Sequence, residues 1–154
     1  MNDGALRAAL SKLQGAVVDQ VLNSAGLTFG SSSKPKAKIA NTIYALIDGV
    51  LVKKTTAEIV LSGTVLNAKF NVYVLSMTAD GTVTATMGTA GATIGAVVFP
   101  AVPASSVVIG FVIVNPTGTG NFVGGTTDLD DATVAPNAVY VNTVGTFNVN
   151  ALSI

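Results

Sequence analysis

The chain has no cysteine, no histidine and no tryptophan, and only 16 of its 154 residues (10%) carry a charge. Each absence excludes a class of function. Without histidine there is no Ser-His-Asp or Cys-His nucleophilic site. Without cysteine or histidine the ordinary ligand sets for zinc, haem and iron–sulfur clusters are missing. Without cysteine there is no disulfide framework, the commonest staple of small secreted domains. Ordinary soluble domains carry about 25% charged residues; a surface this poor in charge suits subunit interfaces, whose cores are depleted in it. These features point to a structural or binding protein that is not an enzyme and needs no cofactor.

The few charges are unevenly spread. Residues 1–69 hold all eight basic residues and four acidic ones, a net +4; residues 70–154 hold four aspartates and no base, a net −4. A half with no base cannot neutralise phosphates, which argues against nucleic acid as a partner. Two readings of the asymmetry stand. It is drift among a small number of charges, or the N-terminal part meets an acidic surface.

Residues 81–127 carry no charge at all, and 90–114 are the most hydrophobic part. That run exceeds the ~20 residues a spanning helix needs. Pro100, Pro103, Ser105 and Ser106 interrupt it, however, and proline inside a helix costs about 3 kcal/mol. No lysine or arginine flanks it to orient a span. It reads as two short strands, 94–99 and 107–114, around a proline-bracketed loop, with no membrane span. The N-terminus lacks the basic start and sustained apolar run of a signal peptide.

Residues 3–25 carry the one helical pattern. Leu6, Leu10, Leu13 and Val17 recur at spacings of four, three and four, one face of a helix and also an a/d seam. Asn2 or Asp3 suits the N-cap and Gly26 the C-cap, while Gly15 weakens the interior by roughly 1 kcal/mol. Such a helix needs packing to persist. It either caps its own domain's core or docks on a partner. Gly30-Ser31-Ser32-Ser33-Lys34-Pro35-Lys36 follows, with linker composition. The expected division is an N-terminal helix and linker arm over 1–36 and a β domain over 37–154.

From Lys38 the periodicity changes to two. Residues 39–47, then Asp48-Gly49, then 50–54 form a hairpin signal, because both central residues of a type I′ turn need positive φ. The same device recurs as 70–77, Asp80-Gly81, 82–87. Residues 58–62, 107–114 and 138–144 read as further strands, the second buried on both faces because it lacks alternation. Thr82, Thr84 and Thr86 alternate outwards. Seven to nine short strands with glycine and proline between them predict a mainly β fold, an antiparallel β-sandwich or barrel body behind a short N-terminal helix and arm. Flat, uncharged, threonine-rich edges invite pairing, which an oligomer buries; a homo-oligomer is expected, a trimer favoured.

Two loops carry weak chemical signals. Gly118-Thr119-Gly120-Asn121-Phe122-Val123-Gly124-Gly125 lacks the lysine of a phosphate-binding loop and opens no helix, so it reads as a connection between strands. Asp128, Asp130 and Asp131 are the one carboxylate cluster, a weak candidate cation loop without EF-hand spacing, set against a solvated turn or helix cap. Asp80 is the one other acid in that half, too little for a paired-carboxylate glycosidase.

The stretch Val107-Val108-Ile109-Gly110-Phe111-Val112-Ile113-Val114-Asn115-Pro116-Thr117-Gly118-Thr119, running into Phe122, Gly125-Thr126-Thr127-Asp128-Leu129-Asp130 and a strand bearing Tyr140, resembles a pattern in virion structural proteins of tailed bacteriophages. The resemblance is specific over residues 107–144. It implies a head decoration (cement), head-fibre or tail component and brings no catalytic residue. The expected function is a decoration protein on the outside of a capsid, made in the host cytoplasm and located on the virion surface, with the major capsid protein as partner. The alternative is a tail- or fibre-associated receptor-binding or adhesin module. Leu6, Leu10, Leu13 and Val17 are the expected partner-binding residues, with Lys34, Lys36 and Lys38 behind them.

Overall fold

The computed structural model describes residues 3–16, 18–117, 119–136 and 138–149, and the side chains of all of these except 11–16. One helix, α1 (Asp3–Ala16), precedes twelve strands. The first six are β1 (Gln20–Val21), β2 (Thr28–Phe29), β3 (Lys36–Ile39), β4 (Ile43–Ile47), β5 (Val50–Lys54) and β6 (Ala57–Val60). Then come β7 (Thr64–Val65), β8 (Asn71–Thr78), β9 (Val83–Met87), β10 (Ser106–Val114), β11 (Phe122–Val123) and β12 (Val139–Asn142). They form four antiparallel sheets, ordered β1-β4-β5, β2-β3-β6, β11-β7 and β12-β10-β8-β9. The fold is mainly β and sandwich-like, and no sheet closes into a barrel.

The fourth sheet is the centre of the molecule. Asn71 to Met77 are buried without interruption, so β8 is covered on both faces. One face carries Tyr73, Leu75, Met77, Ile109, Val112 and Val114 into the main core, beside Val21, Ile39, Ile43 and Ile47. The other carries Val72, Val74 and Val108 into a smaller core with Val97 and Val149. There Phe111 meets Phe99 edge-on, centroids 5.3 Å apart, and Phe147 at 5.8 Å.

The missing alternation of β10 has a local cause as well as this double burial. Its register against β8 shifts between Val108 and Gly110, so Ile109 is the extra residue of a β-bulge and the faces exchange parity there. Gly110 sits at φ 152°, where a Cβ would lie 2.4 Å from the Val141 carbonyl oxygen. The hydroxyl of Thr143 donates to the Val108 carbonyl at 2.6 Å, using an acceptor beside the bulge.

The two Asp-Gly turns differ. Asp48 (φ 51°) and Gly49 (φ 75°) form the expected two-residue turn between Ile47 and Val50. At the second, the Thr78 N–H donates to the Thr82 carbonyl, closing a three-residue loop in which Gly81 alone has positive φ. The Asp80 carboxylate explains the choice. It accepts from the hydroxyls of Thr78 and Thr82 and from the Thr82 N–H, and these bonds hold its pKa down at about 2.

Three other expectations are corrected. The run 39–47 is two strands, β3 and β4, separated by residues 40–42. Residues 94–99 are not a strand: Ile94–Ala96 is a short 3-10 helix and Val98 makes a single bridge to Thr89. The arm is shorter than 1–36. Val21, Ala25 and Leu27 are core residues, β1 pairs with β4, and β2 pairs with β3. The linker-like 30–36 is the β2–β3 hairpin loop, closed by the Gly30 N–H donating to the Lys36 carbonyl at 2.7 Å. Serine and glycine mark turns as readily as linkers, and here the apolar residues on either side close the hairpin into the core.

Candidate partner-binding surface

What remains of the arm is α1. Residues 3–10 are exposed throughout. Leu6 and Leu10 are 48% and 52% exposed, which for leucine on a helix turns apolar surface to water. Leu13 lies on α1, its side chain outside the described residues, and Val17 is likewise outside them. Arg7 pairs with Asp3 one turn back at 3.7 Å, both side chains more than four-fifths exposed. A helix of 14 residues is at the limit of what persists in water unaided. Its apolar seam is therefore the surface most in need of a partner.

Two of the three lysines behind it have side-chain partners within the chain. The Lys34 ammonium meets an Asp130 oxygen at 2.8 Å, and this hydrogen bond and charge raise its pKa. The Lys34 carbonyl accepts from the Leu129 N–H at 3.1 Å, so the hairpin loop and the aspartate turn are stitched together twice. Lys36 opens β3 half-buried, and Lys38 donates to the Ser31 hydroxyl at 2.8 Å. The Glu58 carboxylate anchors the same loop by accepting the Ser32 N–H, which, with the Ser31 contact and the charges of Lys36 and Lys38, lowers its pKa. Lys34 and Lys38 hold this loop through their side chains and Lys36 through its backbone.

The carboxylate cluster is spread over separate tasks. Asp130 faces Lys34, and Asp131 accepts the N–H groups of Thr133 and Val134 at 2.7 and 3.0 Å. No three acidic side chains gather into a metal-binding group among the described residues.

Two features lay outside the sequence reading. The outer face of the β1-β4-β5 sheet is apolar: Leu46 stands opposite Leu51 and Tyr44 opposite Lys53, with Leu22 joined to Tyr44 by a backbone hydrogen bond. Leu51 is 61% exposed and Leu22 45%. Beside the aspartate turn, Phe29, Leu129, Ala135, Ala138 and Tyr140 line an open groove of about 250 Å³ with Asp130 at its edge. The Tyr140 hydroxyl is buried with no hydrogen-bond partner, and burial, with the charge of Asp130 second, pushes its pKa up to about 12. The run Val50-Leu51-Val52 at a hairpin was a signal for the first. Nothing local signalled the groove, whose walls come from residues a hundred positions apart.

No protein-family model, no curated protein and no solved structure matches the chain. No helix among the described residues is long and apolar enough to cross a membrane.

Proposed function

We propose that the chain is a structural virion protein that binds the outside of a phage capsid and stabilises it, with the major capsid protein as its partner and no catalytic role. The observation that carries this reading is α1, a leucine-faced helix exposed on a well-buried β body. The resemblance of residues 107–144 to phage virion proteins supplies the context. In this reading α1 seats its leucine seam on the shell while the body bridges neighbouring subunits. Anything that binds only the closed shell stabilises it by mass action, and open strand edges such as β9 add backbone pairing. Synthesis in the bacterial cytoplasm and residence on the capsid surface follow from the same reading.

The receptor-binding alternative calls for aromatic side chains on loop tips. The two aromatics that are exposed, Phe29 and Tyr44, both lie on strands, so the docking reading is preferred. The test is co-sedimentation with undecorated capsids. Each buried leucine contributes about 1.5–3 kcal/mol, so Leu6→Asp with Leu10→Asp weakens docking more than about a hundredfold. Decoration by that variant at wild-type occupancy would overturn the assignment of α1 as the anchor.

A further inference from the structure

We propose that the outer face of the β1-β4-β5 sheet packs against the same face of a second copy, strands opposed, in a two-fold dimer. Strand register fixes what this face presents. Gln20, Leu46 and Leu51 form one row across the three strands, and Leu22, Tyr44 and Lys53 form the next. Their neighbours Val21, Ala45 and Val52 point the other way, into the main core. Four of the six outer side chains are therefore apolar, and Leu22, Tyr44 and Leu51 among them are exposed. Opposite charges bound the face. At the hairpin tip lie Asp48 and Asp19, the Asp48 N–H donating to the Asp19 carboxylate at 2.7 Å. At the far end lies Lys53, while Lys54 belongs to the other side of the sheet. Among the described residues, Asp19, Asp48 and Lys53 form no salt bridge within the chain.

Charge selects both the occupant and the axis. Two arrangements bring this face against its own copy. With the strands running the same way, Asp48 meets Asp48 and Lys53 meets Lys53, and like charges across an interface are costly. With the strands opposed, the aspartate end of each copy lies over the Lys53 end of the other, twice per dimer. The apolar side chains then meet in the middle. Sheets stack about 10 Å apart with their strands within about 30° of each other, a gap that leucine and tyrosine from two faces fill. A face that carries its own complement fits a second copy better than a partner of one charge sign. Such a contact is isologous and closes at two chains. Four apolar side chains make a small interface, so the dimer is weak, with a dissociation constant of about micromolar order. The contact does not call on α1, so it stands apart from the shell docking proposed above.

The experiment uses the purified full chain without any shell, which separates its outcome from that of the docking assay. Sedimentation equilibrium of the wild type should show monomer and dimer exchanging in the micromolar range. Lys53→Glu, which sets acid at both ends of the face, should weaken the dimer at least about tenfold. Leu51→Thr, which suits an edge strand, should do the same through lost apolar contact. Asp48→Asn, which the positive φ of the turn accepts, removes two attractions and should weaken the dimer a few fold. Asp48→Lys sets base at both ends and should also fail to pair with itself. Mixed in equal amounts with Lys53→Glu, it should form a mixed dimer, because each end then faces its opposite. Circular dichroism establishes that each variant is folded; if Asp48→Lys is not, Asp48→Asn carries the test at that end. A wild type that stays monomeric at about 0.1 mM, a hundredfold above a micromolar constant, leaves the face to another occupant and overturns the proposal. So does assembly beyond two chains, Lys53→Glu or Asp48→Asn at wild-type affinity, or a mixture of folded variants that stays monomeric.

Discussion

Helix α1 and the segment from residue 20 to residue 36 are neighbours in sequence and opposites in what they contribute. The helix holds Leu6 and Leu10 half exposed, and its residues 3–10 all face water. The segment holds Val21, Ala25 and Leu27 almost wholly buried and pairs with strands further along the chain, β1 with β4 and β2 with β3. Residues 3–10 contribute no buried side chain to the core, whereas the segment contributes three. An exposed apolar residue costs its own chain nothing to lose, which is why such residues are available to a partner, whereas a buried one is committed.

Truncation is the most severe way to break this comparison. Removing residues 1–17 should leave a cooperative β-type unfolding transition close to that of the full chain. Removing residues 1–36 takes away β1, β2 and three core side chains. At about 1.5–3 kcal/mol per large buried side chain, against a total stability of ~5–15 kcal/mol, that product should lose its cooperative transition. Circular dichroism melts of both products are the check; equal melting curves would show that 20–36 is an arm after all.

Point substitutions sharpen the same contrast. Leu27→Ala should cost about 2–4 kcal/mol, since Leu27 is 6% exposed and packs toward the bulge at Gly110. Leu10→Ala should cost the isolated protein almost nothing, because its side chain is already in water. Denaturant titration of the two variants separates them, and a large loss for Leu10→Ala would place the helix in the core.

The smallest expected effect concerns acid. Glu58 holds the 30–36 loop as a carboxylate, with its pKa below the ordinary 4.5. A carboxyl group depressed by folding stabilises the folded state above its unfolded pKa and loses that contribution as pH falls through the lower, folded value. The protection of the Ser32 amide, its exchange rate compared with that of an unstructured chain at the same pH, should therefore fall as the pH drops through the lowered range of the Glu58 carboxyl. Glu58→Gln should remove this acid dependence. The amides of α1, which Glu58 does not touch, should show no matching change between the two proteins.

Much of the body was legible because strand pairing leaves local marks. Asp48-Gly49 demanded positive φ at two positions, and the flanking β-rich runs could only fold back on one another. The uninterrupted apolar run of β10 announced burial on both faces. The 20–36 segment was misread for an equally physical reason. Glycine and serine at 30–33 serve a flexible tether and a tight loop alike, and what separates the two is whether Val21, Ala25 and Leu27 find a core. No local rule carries that information. Residues 94–99 failed the other way: a β-rich composition there met no partner strand, so Ile94 was left exposed in a short helical turn.

By itself the sequence determined the mainly β class, the two central hairpins, the amphipathic helix at the start and the polarity of charge along the chain. Each of these depends on periodicity, turn chemistry or composition, which act over a few residues or over the whole. Only the tertiary structure decided where the arm ends, that Lys34 and Asp130 neutralise one another, and that Phe29, Leu129 and Tyr140 enclose a groove. Those are contacts between residues about ten to a hundred and eleven positions apart, and their energies exist only once a core has brought the distant segments within reach.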